Sequence, residues 1–128
     1  MKIEHIGVLV KAPVSMGNWY SEHLKLEILR QLGTDEDGVT FLKDTESGTV
    51  LEFARLPEIR VTDFSAFDPL QLHIAIECDD PIGMSEALEQ VGAVVVGESA
   101  RAEGANERML VKDPWGITIQ LINRMNKL

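Results

Sequence analysis

The chain has 128 residues, of which 45% are hydrophobic and 26% charged, and these values predict a soluble globular protein with a proper core. Its net charge of −9 and its scattered basic residues exclude a nucleic-acid binder, which needs a basic face for phosphate contacts. No apolar run approaches the roughly 20 residues of a membrane-spanning helix, and the one cysteine, Cys78, precludes an internal disulfide, so we expect a cytoplasmic protein.

The first half of the chain predicts the element order βαβββ. Residues 2–10 alternate between two largely apolar faces, which predicts a strand that is covered on both sides. Ser15 is expected to cap a helix, because Met16, Tyr20 and Leu24 follow it at a spacing of four residues. Three further strands are predicted at residues 26–29, 39–43 and 49–54.

The second half repeats this order after a polar segment, residues 57–69, that has no clear period and is expected to be a linker. A strand is predicted at residues 71–78. A helix follows from Pro81 to a terminating glycine, Gly92. Its expected inner face carries Met84, Ala87, Leu88 and Val91. The last three strands are predicted at residues 94–96, 108–112 and 117–122.

Two pairs of segments show that the halves are copies of one unit. The stretch that starts at His5 (HIGV) matches the stretch that starts at His73 (HIAI), at an offset of 68 residues. The strand that contains Glu52 (TVLEF) matches the strand that contains Gln120 (ITIQL), again at an offset of 68. We therefore predict a single domain, residues 1–128, that is made of two repeats, residues 1–56 and 70–124, joined by the linker.

These four polar residues occupy repeat-equivalent positions in otherwise apolar strands. Repeated units commonly pack around a pseudo-twofold axis, so we expect the four side chains to face one another. A glutamate in an apolar strand is costly to bury unless it is paired or binds a cation. Two imidazoles, one carboxylate and one amide oxygen suit Ni, Co, Mn, Fe or Zn, and they leave two positions for neighbouring substrate oxygens. Each histidine taken alone is also compatible with an ordinary hydrogen-bonded core residue.

The chain resembles the vicinal oxygen chelate superfamily, which includes glyoxalases, bleomycin resistance proteins and extradiol dioxygenases. The motifs that carry the resemblance are His5-Ile6-Gly7-Val8, Leu51-Glu52-Phe53, His73-Ile74-Ala75 and Asp113-Pro114-Trp115-Gly116 followed by Gln120-Leu121. The resemblance implies an α+β fold in which two βαβββ modules pair into a cupped, incomplete eight-stranded barrel around a divalent metal ion. It also implies a small-molecule substrate and a homodimer.

Within the superfamily, the ligand set is most similar to that of glyoxalase I, a lactoylglutathione lyase. His5, Glu52 and His73 match the first three metal ligands, whereas Gln120 stands where that enzyme has a glutamate. The resemblance implies a lyase or isomerase that acts through an enediolate, with Glu52 as a metal ligand that also moves the proton. An epimerase, a dioxygenase and a drug-binding protein without catalysis stay open as alternatives.

A substrate that bears a carboxylate or phosphate would need a cation near the metal. The sequence offers four arginines for this role without distinguishing among them: Arg55, Arg60, Arg101 and Arg108. The linker carries Phe64 and Phe67, and we expect it to form a contact with a partner or a cover over the cleft.

Overall fold

The computed structural model describes residues 1–98 and 107–128, which divide into two compact units, Met1–Thr62 and Asp63–Leu128. The first unit contains β1 (Ile6–Leu9), α1 (Pro13–Leu24), β2 (Glu27–Leu32), β3 (Val39–Lys43) and β4 (Val50–Ala54). The second unit begins with a short 3-10 helix (Phe64–Ala66) and continues with β5 (His73–Glu77), α2 (Pro81–Glu89), β6 (Val94–Glu98), β7 (Glu107–Lys112) and β8 (Thr118–Asn123).

Both units have the same sheet topology. The strand orders are β1-β4-β3-β2 and β5-β8-β7-β6. β1 pairs with β4 in parallel, and β5 pairs with β8 in the same way. The offset of 68 residues is kept in the register, since Ile6 pairs with Leu51 and Ile74 pairs with Ile119. The predicted fold class, α+β with two βαβββ modules, is therefore confirmed.

In the first unit, α1 covers one face of the sheet. Met16 and Tyr20 are fully buried on this side, as are Leu42 of β3 and Phe53 of β4. The rings of Tyr20 and Phe53 meet edge to face with their centroids 4.9 Å apart. The sheet therefore has a covered face and an opposite face. β1 is less covered than its sequence predicts, because Ile6 is 51% exposed.

The prediction that Ser15 caps α1 is wrong. The N-cap position is Ala12, which provides no side-chain cap, and Pro13 is the first helical residue. The capping oxygen comes instead from Asp35 in the turn after β2, where Oδ1 accepts hydrogen bonds from the backbone N–H groups of Val14 (2.9 Å) and Ser15 (2.8 Å). A carboxylate from a distant loop thus satisfies the free donors at the start of the helix.

The second helix has its cap in the adjacent sequence. Asp80 accepts from the N–H of Gly83 at 2.9 Å. α2 ends at Glu89, and Gly92 (φ +103°) has the predicted role of the terminating glycine. Ala93 donates to Leu88 O and Gly92 donates to Glu89 O, which is the pattern of a Schellman motif. The buried side is formed by Pro81, Ser85 and Leu88. Leu88 was predicted there, whereas Ala87 is exposed and was assigned to the wrong side. Val91 is also exposed and lies beyond the end of α2.

The end of the linker is fixed to the second unit. Lys112 Nζ donates to the carbonyl oxygens of Ser65 (2.6 Å) and Phe67 (2.8 Å). Ser65 also lies so close to Gly116 that a Cβ atom there would stand 2.7 Å from it. Within the described residues, no helix is long and apolar enough to cross a membrane.

Candidate functional site

Glu52 lies on the face of the first sheet that α1 leaves uncovered. Its neighbours on β4, Leu51 and Phe53, are buried on the helix side, and strand alternation turns Glu52 the other way. The side chain of Glu52 keeps 25% of its surface exposed, which is low for a carboxylate. This face is called the site face below.

His5 and Glu52 meet on the site face. His5 Nε2 stands 2.8 Å from Glu52 Oε2, and the imidazole is 35% exposed. Two ligands that bind one ion at about 2.1 Å and at right angles stand about 3.0 Å apart, so the separation suits donors that share a metal ion. The first two predicted ligands are therefore brought together within one unit.

Two further residues, Gly7 and Phe41, surround the His5–Glu52 pair, and neither was predicted from the sequence. Gly7 is the register partner of Glu52, and a Cβ atom on Gly7 would stand only 3.2 Å from Glu52 Oε2. Phe41 of β3 is the partner on the other side, and its ring meets the His5 ring edge to face with centroids 5.6 Å apart. Strand alternation around Phe41 was the signal that could have identified it.

Glu4 and Glu52 lie at the two nitrogens of the His5 ring. The hydrogen bond that His5 Nδ1 donates to Glu4 raises the pKa of the imidazole, desolvation opposes this rise, and the negative charges of Glu4 and Glu52 add to it. The two carboxylates therefore shift the protonation equilibrium of the His5 ring toward the imidazolium, compared with a free histidine.

The second unit places His73 and Gln120 in the corresponding positions. Gln120 of β8 pairs with Ala75, as Glu52 pairs with Gly7, and His73 lies two residues before Ala75 on β5. Gln120 is only 6% exposed, whereas His73 is exposed. The second pair of predicted ligands thus lies on neighbouring strands of one sheet.

Each unit provides one pair of donors. Within either unit, the described residues hold no group of three or more His, Cys, Asp or Glu side chains placed to bind a metal ion. The donor types fit a divalent first-row metal, because an imidazole with a carboxylate and an imidazole with an amide oxygen combine nitrogen and oxygen ligands. That the two pairs converge on one ion stays a prediction.

Comparison with solved structures reveals the same fold in proteins of low sequence identity. A glyoxalase family protein from Bacillus cereus matches with a TM-score of 0.78 at 16% identity, covering 98% of this chain and 95% of that chain. A fosfomycin resistance protein, FosX, from Listeria monocytogenes, complexed with Mn(II) and sulfate, matches with a TM-score of 0.69 at 14% identity, over 97% and 90% of the two chains. TnmS3, an antibiotic binding protein from Streptomyces sp. CB03234, matches with a TM-score of 0.63 at 17% identity, over 97% and 98%.

Sequence comparison agrees with the fold. No curated protein matches the chain. The family model that describes the Glyoxalase/Bleomycin resistance protein/Dioxygenase superfamily matches residues 2–121, which is nearly the whole chain. The chain therefore belongs to the Glyoxalase/Bleomycin resistance protein/Dioxygenase superfamily.

Proposed function

We propose that the chain is a divalent-metal enzyme that chelates two neighbouring oxygens of a small substrate and acts as a lyase or isomerase of the glyoxalase type. Ni, Co, Mn, Fe or Zn would be held by His5, Glu52, His73 and Gln120. The observation that carries the proposal is the 2.8 Å contact between His5 Nε2 and Glu52 Oε2 on the face that α1 leaves uncovered. Membership of the superfamily and the Mn(II)-bound FosX relative support it.

The bound ion would supply a Lewis acid, which makes a proton next to a substrate carbonyl easier to remove. Glu52 is the carboxylate of the set that can accept this proton, because an amide such as Gln120 takes no proton at neutral pH. His5 Nε2 lies 2.8 Å from one oxygen of Glu52, so the ion would hold both groups side by side, and Gly7 leaves room for the carboxylate to shift. Proton transfer is therefore assigned to the first unit alone.

Metal binding is the first test of this function. Elemental analysis and thermal shifts with Ni, Co, Mn and Zn should reveal one bound ion and a raised melting temperature for the wild-type protein. Glu52→Gln should lose most of this shift, whereas Glu46→Gln, in an exposed turn, should keep it. Wild-type protein that binds none of these ions would refute the proposed site.

Turnover is the second test. The metal-loaded protein should convert the hemithioacetal of methylglyoxal and a thiol, and Glu52→Gln should lower kcat by roughly a hundredfold or more, because a positioned base contributes at least that factor. Metal-loaded protein that leaves the hemithioacetal unchanged would remove the glyoxalase type of reaction and leave the metal site in place.

A second candidate is a small-molecule binding protein without catalysis. It is favoured by Gln120, a 6% exposed amide that cannot act as a base. The similarity to TnmS3, an antibiotic binding protein, also supports it. This candidate predicts that ligands bind without turnover and that binding survives both the removal of metal and the Glu52→Gln substitution. We further propose a homodimer, which analytical ultracentrifugation can test.

A further inference from the structure

We propose that Arg30 forms a subsite for an anionic group of the substrate, a carboxylate or phosphate, on the site face of the first sheet. The inference rests on the proposed function, since it names the class of substrate that the metal would chelate. It is carried by the strand register around Arg30 and by the absence, among the described residues, of a carboxylate paired with its guanidinium.

Arg30 lies in the same cross-strand row as Glu52, the proposed metal ligand. The row crosses all four strands of the sheet and consists of Gly7, Glu52, Phe41 and Arg30. At a strand spacing of about 4.8 Å, the backbone of Arg30 stands roughly 10 Å from that of Glu52. Its long side chain can therefore reach a group that is linked by a short chain to metal-bound oxygens.

A β-bulge turns Arg30 toward this face. The register of β2 shifts between Ile28 and Arg30, so that Ile28 pairs with the buried Leu42 and Arg30 pairs with Phe41. Gln31 lies on the helix side, because its Nε2 donates to Asn18 Oδ1 of α1 at 3.1 Å. Ile28 and Gln31 share a face although they are three residues apart, which requires the extra residue of the bulge. Without it, strand alternation would point Arg30 toward α1.

The guanidinium of Arg30 is available for a ligand. Arg30 is exposed, and no ion pair within the described residues joins it to a carboxylate. Lys43 shares the face, but its register partner on β2 is Glu27, whose charge opposes anion binding there. A chain of net charge −9 repels anions as a whole, so an anionic substrate needs a local cation of this kind.

The four arginines singled out from sequence are less suited to this role, and one of them, Arg60, lies outside the sheet. Arg55 is held by a hydrogen bond from its Nη1 to Lys11 O at 2.8 Å. Arg101 lies outside the described residues, and Arg108 belongs to the second sheet. In the second sheet, the bulged position that corresponds to Arg30 is Gly97, which pairs with Leu110 and has no side chain to bind an anion. The subsite is therefore specific to the first unit.

Two hydroxamates that differ in charge test the subsite. Both chelate a metal through neighbouring oxygens; acetohydroxamate has a neutral tail, and succinate monohydroxamate has a carboxylate tail. Isothermal titration of metal-loaded wild-type protein should give about tenfold tighter binding of the anionic compound, because a charge-assisted hydrogen bond contributes at least that factor. Arg30→Gln should bind the two compounds equally and keep the wild-type affinity for acetohydroxamate. Arg30→Lys should recover part of the preference.

Arg60→Gln is the matched control, because Arg60 is an exposed arginine outside the sheet, and it should keep the tenfold preference. Equal binding of the two compounds by the wild-type protein would overturn the subsite and leave the proposed function standing. A preference that persists in Arg30→Gln would also overturn it. Wild-type protein that takes up metal but binds neither hydroxamate would overturn the proposed chelating function, and the subsite with it.

Discussion

Replacing Gly7 with alanine places a methyl group against the Glu52 carboxylate. The new Cβ would stand 3.2 Å from Glu52 Oε2, about 0.2 Å inside the 3.4 Å at which ordinary contact begins. The backbone of Gly7 does not have a positive φ, so alanine is compatible with the strand. The carboxylate must therefore move by a few tenths of an ångström while the fold stays intact.

This displacement is expected to weaken metal binding and not folding. A shift of about 0.2 Å is at the limit that a metal–ligand distance tolerates, and disturbing the support of a ligand costs roughly tenfold in affinity. In contrast, replacing glycine with alanine in a strand stabilises the protein by about 0.5–1 kcal/mol. Gly7→Ala should thus raise the free energy of unfolding of the metal-free protein and lower its affinity for metal.

The assay combines urea unfolding of the metal-free protein with isothermal titration of Zn or Ni. Ala75 in the second unit is the matched control, because it occupies the position that corresponds to Gly7 and already carries the methyl group beside Gln120. Ala75→Gly should lower stability and leave metal affinity within a factor of about two. Wild-type metal affinity in Gly7→Ala would refute the placement of Glu52 in the metal site.

Three further changes test the capping, the helix end and the asymmetry of the site. Asp35→Ala should lower the free energy of unfolding by about 1–2 kcal/mol in a urea titration, because Asp35 caps α1. Partial burial raises the pKa of Asp35, but hydrogen bonds from Ser15 and Val14 outweigh this effect and lower the pKa below its usual value of 3.8. The stabilisation by the Asp35 carboxylate is therefore complete above pH 3.8 and is lost as the pH falls through the lower pKa of the folded state. Asp35→Ala should remove this contribution to the acid dependence of stability. Gly92→Ala should cost about 1 kcal/mol in the same titration, because φ is +103° there; an unchanged midpoint would contradict the Schellman assignment. Gln120→Glu should destabilise the metal-free protein, since it puts a carboxylate at a 6% exposed position, and should raise turnover of the hemithioacetal; unchanged or lower turnover would contradict the view that the missing base limits the reaction.

The fold could be predicted because the signals that determine it are local and occur twice. Strand alternation and the offset of 68 residues predict both modules, and the structure keeps this offset in the pairing of Ile6 with Leu51 and of Ile74 with Ile119. The start of α1 could not be predicted in the same way. Its cap, Asp35, lies 20 residues from Ser15 in sequence, and no local pattern connects the two.

The candidate site could be predicted in part for the same reason. The polar residues in apolar strands identified His5 and Glu52, which the structure brings to 2.8 Å. Gly7 was missed because its contribution is the space that it leaves beside Glu52, which only coordinates reveal. Arg30 was missed because the predicted strand ends at residue 29, whereas β2 continues to Leu32. Even in a longer strand, simple alternation would place Arg30 on the helix side, because only the bulge reverses its face.

The central claim is that the His5–Glu52 pair and the His73–Gln120 pair hold one metal ion together. Equilibrium dialysis with elemental analysis of the wild-type protein should find one divalent ion per chain. His5→Ala and His73→Ala should each reduce the metal affinity by a similar factor of about a hundred, as expected when a ligand is lost from a shared ion. His23→Ala, in which the third histidine of the chain is removed from α1, should bind metal like the wild type. Metal binding that depends on His5 but is unchanged in His73→Ala would contradict a shared site.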